Sequence, residues 1–431
     1  MDSNDYRLTF LTYSKKLENN FVGLYNPIGD HNFLFIPENI FEKVLKSKEI
    51  SNQSLEKLIE KNFLVPKNFS EEKYLDSFKK ELKLEIHLMY LLINQNCNLR
   101  CDYCFENLKE NHSYFQMPLE TARNSIDFFL KSSSPERKII FYGGEPLMNK
   151  KTFLGAVKYI RDKEEDKTKI SVVTNGTFVD NQLVNFLKGQ NVDIAISIDG
   201  PKNIHDSARR YLSGEGSFEN VIKSFYLLKE EGIIPSISCT IGEHNVNELE
   251  EVATFFANEL KPLSVGFNIM IGEKSTENFV KKASSNLFKA YKILKESGIY
   301  EDRVMRRLES IFNGKFYLKE CAAYGNQIAV RYDGKIGPCH AFCSKGDYFF
   351  GNINDPNFKL NSNIFHDWTN RNQIYNETCR KCPFVLLCGG GCAHNSKVEF
   401  EDINEIDKNI CVHTKMLVDW VMEELWKKKV K

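Results

Sequence analysis

Cys97-Asn98-Leu99-Arg100-Cys101-Asp102-Tyr103-Cys104 decides how this chain is read. Thiols spaced C-x3-C-x2-C supply three irons of a [4Fe–4S] cluster and leave the fourth iron without a protein ligand. An iron with an open position binds a small molecule and passes it an electron. The competing use of such cysteines is a structural zinc site. Zinc, however, closes four ligands around one ion and favours C-x2-C pairs.

The other cysteines are ordered as well. Of the 12 in the chain, eight follow Glu320: Cys321, Cys339, Cys343, Cys379, Cys382, Cys388, Cys392 and Cys411. Gly334 precedes Cys339 with four residues between them, and a C-x2-C-x5-C-x3-C run spans Cys379 to Cys392. Dense cysteines staple small secreted domains. Here Met1-Asp2-Ser3-Asn4-Asp5 opens the chain without an apolar secretion signal, and a chain of 431 residues has no need of staples. Zinc is the stronger rival at these later cysteines, since paired C-x2-C suits it. Cys239 lies inside a predicted strand and reads as a buried apolar residue.

With Tyr103 at its aromatic position, the first motif resembles the signature of the radical S-adenosylmethionine (SAM) enzymes. The later pattern, with all seven cysteines present and in order, resembles the SPASM extension of those enzymes, which binds two auxiliary [4Fe–4S] clusters. The resemblance implies that Cys379, Cys382, Cys388 and Cys411 hold the distal auxiliary cluster, and Cys321, Cys339 and Cys392 the nearer one. The nearer cluster is then one ligand short. Either Cys343 closes it, or an iron stays open for a substrate thiolate, as in relatives that form thioethers.

Further motifs follow predicted strands. Tyr142-Gly143-Gly144-Glu145-Pro146 is similar to the family's GGEP element. The resemblance implies that Gly143, Gly144 and Glu145 cradle the SAM amino group and that Tyr103 lies beside the site. It also implies that Asn175, Ser197 and Asp199, each at a strand end, reach the ribose and the methionine carboxylate. Polar strand caps are the plainer reading of these three. His205-Asp206-Ser207-Ala208-Arg209 resembles an HD-x-x-R element, in which Arg209 pairs the SAM carboxylate bidentately and Arg210 competes for that role. His205 reads as a structural hydrogen-bonder, and no partner is assigned to His87 or His112.

Length predicts two or three domains. Lys+Arg and Asp+Glu are equal at 58 each, so no basic field for nucleic acid exists, and no apolar run reaches membrane-spanning length. Clustered thiols without a targeting signal place the protein in a reducing cytoplasm. Residues 1–85 are expected to form short strands over Tyr6–Thr12, Val22–Tyr25 and Phe33–Ile36. Helices follow near Pro37–Lys46 and Asn52–Lys61, and a charged linker helix over Leu75–Leu84. This segment resembles the winged-helix peptide-recognition module of peptide-modifying radical SAM enzymes, which adds a leader peptide as a strand. Residues 86–312 alternate six apolar strands with helices, an α/β pattern of parallel βα units, and the resemblance implies a partial (β/α)6 barrel. Residues 313–431 form the Cys-rich SPASM domain, ending in an amphipathic helix over Leu417–Lys427.

The resemblance implies reductive SAM cleavage to a 5′-deoxyadenosyl radical, which takes hydrogen from an unactivated carbon. An external one-electron donor of the flavodoxin or ferredoxin type is then required. The expected substrate is a ribosomally made precursor peptide with a leader, and the expected product a cross-link such as a Cys thioether. Anaerobic sulfatase maturases, which form formylglycine, are the alternative within the family. They carry Asp immediately after the G-x4-C cysteine, where this chain has His340. An alternative of another class is a non-catalytic, metal-binding peptide scaffold.

Overall fold

The computed structural model describes residues 5–82, 84–104, 115–132, 134, 136–164, 167–360 and 365–430. Met1–Asn4 and His112 lie outside the described residues. An N-terminal module comprises β1 (Tyr6–Leu8), β2 (Tyr13–Leu17), β3 (Phe21–Asn26), β4 (Asn32–Pro37), α1 (Glu38–Leu45), α2 (Asn52–Glu60), β5 (Leu64–Pro66) and α3 (Glu71–Asp76). Strands β2, β3 and β4 make an antiparallel sheet, and β1 pairs with β5. The sequence hid β2. It is an edge strand whose Ser14 and Lys16 are exposed and whose Tyr13, Lys15 and Leu17 are only half-buried, and edges tolerate such charge. The stretch expected as a linker helix is instead packed. The hydroxyl of Ser70 caps α3 by accepting from the Lys73 amide (3.2 Å), and a 3-10 turn continues over Ser77–Glu81. Leu75, Phe78 and Leu82 are buried in a core shared with Leu11, Val65, Ile374, Val385 and Leu386.

The barrel follows in chain order: β6 (Leu88–Asn94), α4 (Leu119–Ser132), β7 (Arg137–Gly143), α5 (Lys150–Glu164), β8 (Thr168–Thr174), α6 (Asn181–Leu187), β9 (Val192–Ser197), α7 (Lys202–Ala208), α8 (Phe218–Glu230), β10 (Ser236–Ile241), α9 (Leu249–Phe255), β11 (Ser264–Ile269), α10 (Glu277–Glu296), β12 (Tyr300–Glu301) and α11 (Asp302–Phe312). Strands β6 to β11 are parallel neighbours in chain order, as the six predicted strands required. Parallel strands covered on both faces need near-continuous apolar runs, and Met89, Leu91 and Ile93 of β6 are wholly buried. Cys239 sits in the same core.

The C-terminal part adds β13 (Gln327–Arg331), β14 (Lys335–Gly337), α12 (His340–Lys345), β15 (Gly351–Asn352), α13 (His366–Asn370), α14 (Ala393–Phe400) and α15 (Lys408–Val430). Strand β13 joins the barrel sheet beside β6, in parallel, with Gln327–Arg331 opposite Leu88–Leu92. The change of sequence character near residue 313 is therefore not a break in the sheet. Helix α15 begins at Lys408 rather than at Leu417. Its early turns bury polar His413 and Thr414, with Ser284 and His413 Nδ1 at 2.9 Å, so apolar periodicity did not mark them.

Helix α15 also crosses the N-terminal sheet. The Tyr13 hydroxyl donates to Asp419 (2.8 Å), and Trp426 packs on Phe21 and Phe35 at ring separations of 4.7 and 5.6 Å. A second seam comes from the Cys379–Cys388 segment. Arg380 donates to the Asp76 carboxylate (3.0 Å) and the Glu72 carbonyl (2.9 Å), while Phe384 meets Tyr13 edge-on (4.9 Å). The substitution Trp426→Ala is expected to destabilise this junction by about 3 kcal/mol. Hydrogen exchange followed by mass spectrometry should then rise in β2–β4 before it rises in β6–β8.

Candidate active site

The loop after β6 carries the first three cysteines, and buried Asn94 shapes it. Its amide donates to the carbonyls of Asn96 (3.0 Å) and Glu145 (2.9 Å). The loop after β7 lies directly against it, with the Gly144 amide on the Asn94 carbonyl (2.9 Å) and the Glu145 amide on that of Asn96 (2.8 Å). A Cβ on Gly143 would stand 2.2 Å from the Asn94 carbonyl oxygen, and one on Gly144 2.4 Å from that of Asn96. Glycine at both positions lets the loops touch, and that contact sets where Cys97 begins.

Gly143 and Gly144 line the cavity described below, and Glu145 is placed behind them. Its carboxylate is wholly buried. Oε1 accepts from the Leu147 amide (2.9 Å) and the Thr174 hydroxyl (2.7 Å), and Oε2 from the Asn175 amide (2.7 Å). It ties the β7 loop to the β8 loop. Burial pushes its carboxyl up to about 7, against the pull of those donors. Asn175, placed by this tie, donates from Nδ2 to Asn98 (2.9 Å) and lies 3.6 Å from Cys97 Sγ. The Leu99 amide lies 3.4 Å from the same sulfur. Such N–H donors favour thiolate ligands.

Asp199 is the hub of the opposite wall and is wholly buried. Its carboxylate accepts from Arg209 Nε (2.9 Å), the Thr240 amide (2.9 Å) and the Tyr103 hydroxyl, with His244 Nε2 at 3.2 Å. Burial alone would raise its pKa; the Arg209 charge and the His244 contact outweigh this and hold it well below the usual carboxylate range. Asp199 thus acts through Arg209 and Tyr103. The Arg209 guanidinium sits over the Tyr103 ring (5.4 Å) and 3.9 Å from Cys101 Sγ. Arg210 instead donates to the carbonyls of Asp206 and Ser207 on an exposed turn. His205 is buried, with Nε2 3.0 Å from the Ser217 hydroxyl, and burial pushes it down to about 3, in keeping with a structural role. The His87 ring pairs with the nearby Glu85 carbonyl (3.2 Å).

These walls enclose a cavity of about 490 Å³. Cys97, Cys101, Cys104, Gly143, Gly144, Asn175, Ser197 and Arg209 line it, together with Cys321, Cys339 and Cys392. Cys379, Cys388 and Cys411 border a separate cleft, with Cys382 close enough to act on their ionisation. Cys343 joins neither set. It is wholly buried beside Leu92 and Ala329, and its sulfur lies 3.7 Å from the Ala329 carbonyl. Three thiols of the near set thus line the cavity. None of the twelve cysteines, all of them among the described residues, forms a disulfide, so no such staple ties these loops. Burial pushes the thiols of Cys97, Cys379, Cys388, Cys392 and Cys411 up to about 12. Metal coordination removes that cost by deprotonating the thiol outright. Among the described residues no three His, Cys, Asp or Glu side chains group around one mononuclear site. Thiolates of a four-iron cluster sit on different irons and do not need such closeness. The donor sets fit iron–sulfur clusters.

The sequence reading missed Asn94, Thr174, His244, Arg303 and His394. His244 follows a strand end, and that position was the available signal. Arg303 lines the cavity and shares the Glu320 carboxylate (2.8 Å) with Arg306 (3.1 Å) and Arg307. No motif marks this cluster.

The radical SAM superfamily matches residues 91–256, and the SPASM iron–sulfur cluster-binding domain matches 321–383. The radical SAM cyclopropyl synthase TigE of Paramaledivibacter caminithermalis is 24% identical, over 98% of this chain and 93% of its own length. A cysteine-type anaerobic sulfatase-maturating enzyme of Clostridium perfringens is 29% identical, over 69% of this chain and 86% of its own length. The structure of Streptococcus suis SuiB bound to precursor peptide SuiA shares the fold at a TM-score of 0.56 and 14% identity, covering 94% of this chain and 99% of that one.

Two outcomes test the walls. Glu145 keeps its proton up to about 7, whereas the ordinary value is 4.5. The folded state therefore binds a proton that the unfolded chain has released, and stability falls as pH rises through that window, by on the order of 3 kcal/mol in total. Glu145→Gln should flatten this slope in chemical denaturation at several pH values. Asp199→Ala leaves Arg209 buried without its carboxylate and is expected to cost about 3–5 kcal/mol, read as a lowered unfolding midpoint.

Proposed function

The chain belongs to the radical SAM superfamily and carries a SPASM domain, so its cofactors are S-adenosylmethionine and [4Fe–4S] clusters, and we propose that it matures a ribosomally made precursor peptide. The observation that carries this reading is the cavity shared by two sets of three thiols, Cys97, Cys101 and Cys104 with Cys321, Cys339 and Cys392. Bound there, SAM and its cluster supply reductive carbon–sulfur cleavage and hydrogen abstraction from an unactivated carbon.

The chain's own residues bind and orient. Cys97, Cys101 and Cys104 hold the first cluster. Asn175 and the Leu99 amide stabilise the Cys97 thiolate. Arg209, fixed by Asp199, receives the SAM carboxylate, and Ser197 lines the same wall. Cys321, Cys339 and Cys392 would hold the near auxiliary cluster in the wall of the same cavity, where it would supply a site for a substrate thiolate. Cys379, Cys382, Cys388 and Cys411 hold the distal one. The N-terminal module receives the leader: β4 pairs only with β3 among the described residues, and its other edge suits strand addition. Two likenesses support a peptide substrate. TigE aligns with nearly the whole chain, N-terminal module included, and SuiB, which shares the fold, was solved with its precursor peptide. An external one-electron donor completes the cycle. No described helix is long and apolar enough to cross a membrane.

The sulfatase-maturase reading rests on the Clostridium perfringens relative. It predicts a base where this chain has His340, a ring stacked on Tyr90 at 4.5 Å in the cavity wall. The two readings share hydrogen abstraction and differ in the fate of the peptide. Anaerobically reconstituted protein should hold about twelve irons and form 5′-deoxyadenosine with SAM and dithionite. Cys101→Ala should stop that formation, whereas Cys343→Ala should leave iron and cleavage unchanged. With a Cys-containing precursor, a product lighter by two hydrogens supports the cross-link. Replacement of the thiol by an aldehyde moves the assignment to the sulfatase class, and zinc in place of iron refutes both.

A further inference from the structure

The two auxiliary thiol sets are joined by one loop, Cys388-Gly389-Gly390-Gly391-Cys392, whose glycines all take left-handed φ values of 70°, 83° and 75°. Arg371 grips the middle of this loop. It follows α13, is only 7% exposed, and donates from Nη1 to the Gly390 carbonyl (3.2 Å). Its other hydrogen bonds go to the Tyr324 hydroxyl, the Ile403 carbonyl, the Ser396 hydroxyl (2.5 Å) and the Glu405 carbonyl (3.3 Å). The guanidinium also lies over the Tyr324 ring, 5.3 Å from its centre. Every one of these acceptors is neutral, and among the described residues no carboxylate forms an ion pair with it. A buried cation without a counter-anion is costly.

One negative candidate is Asp407, whose ionisation feels Arg371. Its oxygens are taken up by the Cys392 amide (2.8 Å), the Asn409 amide (3.0 Å) and the Asn395 side chain (3.3 Å). Several other arginines around the thiols have direct carboxylates. Arg303, Arg306 and Arg307 share Glu320, and Arg380 pairs with Asp76. Arg371 lines the cleft bordered by Cys379, Cys388 and Cys411 of the distal set, and its charge also bears on Cys321 and Cys392 of the near one.

We propose that Arg371 is the electrostatic link between the two auxiliary clusters, neutralised by the thiolate-rich clusters on either side and raising the reduction potential of both. This rests on the cluster assignment above. Reduction adds one negative charge to a cluster, a fixed positive charge nearby favours it, and cluster potentials follow net charge and surrounding hydrogen bonds. Arg371 is thus a positioning residue for electrons.

The test is an EPR-monitored redox titration of reconstituted full-length protein, comparing Arg371→Gln and Arg371→Lys with wild type. At the wild-type auxiliary midpoints, Arg371→Gln should lower the reduced-to-oxidised ratio about tenfold, a shift of about 59 mV for one electron. The SAM-binding cluster should be unmoved, and Arg371→Lys should recover most of the shift. Unmoved auxiliary potentials at full iron content, or a Lys variant as far displaced as the Gln variant, overturn the proposal. If Arg371→Gln loses iron, Asp407→Asn decides. Removing that negative charge beside Cys392 should raise the near cluster's potential, and no change overturns the proposal. About four irons in the wild type instead of about twelve would overturn the auxiliary-cluster reading and this role with it; about twelve with unmoved potentials overturns this role alone.

Discussion

The two edges of β6 organise this molecule. One edge takes β7, whose loop presses Gly143 and Gly144 against the turn that launches Cys97. The other takes β13 from more than two hundred residues later, in register over Leu88–Leu92. Strand β13 continues through β14 to Cys339 and α12. The hydrogen bonds on either side of a single strand therefore hold the first cysteines and the later ones around the same cavity. Burial of β6 makes that arrangement rigid: Met89, Leu91 and Ile93 are wholly enclosed, and a register slip would expose them.

Much of this was legible in the chain. The six parallel strands announced themselves as apolar runs, because strands covered on both faces have no polar side to confuse the period. The cysteine spacings survived for a related reason. Ligands to a cluster must come from short loops of set length, so spacing carries the constraint directly. Arg209 and Ser197, singled out by their motifs, line the cavity.

What stayed hidden was decided by tertiary contacts. Nothing in Gly-Gly-Glu-Pro tells that Glu145 turns inward to gather Thr174 and Asn175. Cys343, one helical turn beyond Cys339, has spacing suited to either fate; packing against Ala329 and Leu92 takes it into the core. β2 escaped because an edge strand with two lysines has little hydrophobic signature. Arg371 escaped because its partners are backbone carbonyls and hydroxyls, which leave no trace in residue type.

The double seam between the N-terminal module and the cysteine-rich region has a geometric consequence. Arg380 and Phe384 grip the module from within the loop that also bears distal cysteines, while α15 packs along its sheet and meets Phe384's partner Tyr13. The module is thus tied to the cysteine-rich region at two seams. A peptide tethered on the edge of β4 would enter the reaction chamber on a leash of set length. The distance along that peptide, counted in residues from its anchor, would then select which carbon is reached, and the chamber itself would be free to tolerate varied neighbours around it. In such a design the enzyme measures its substrate before it recognises it.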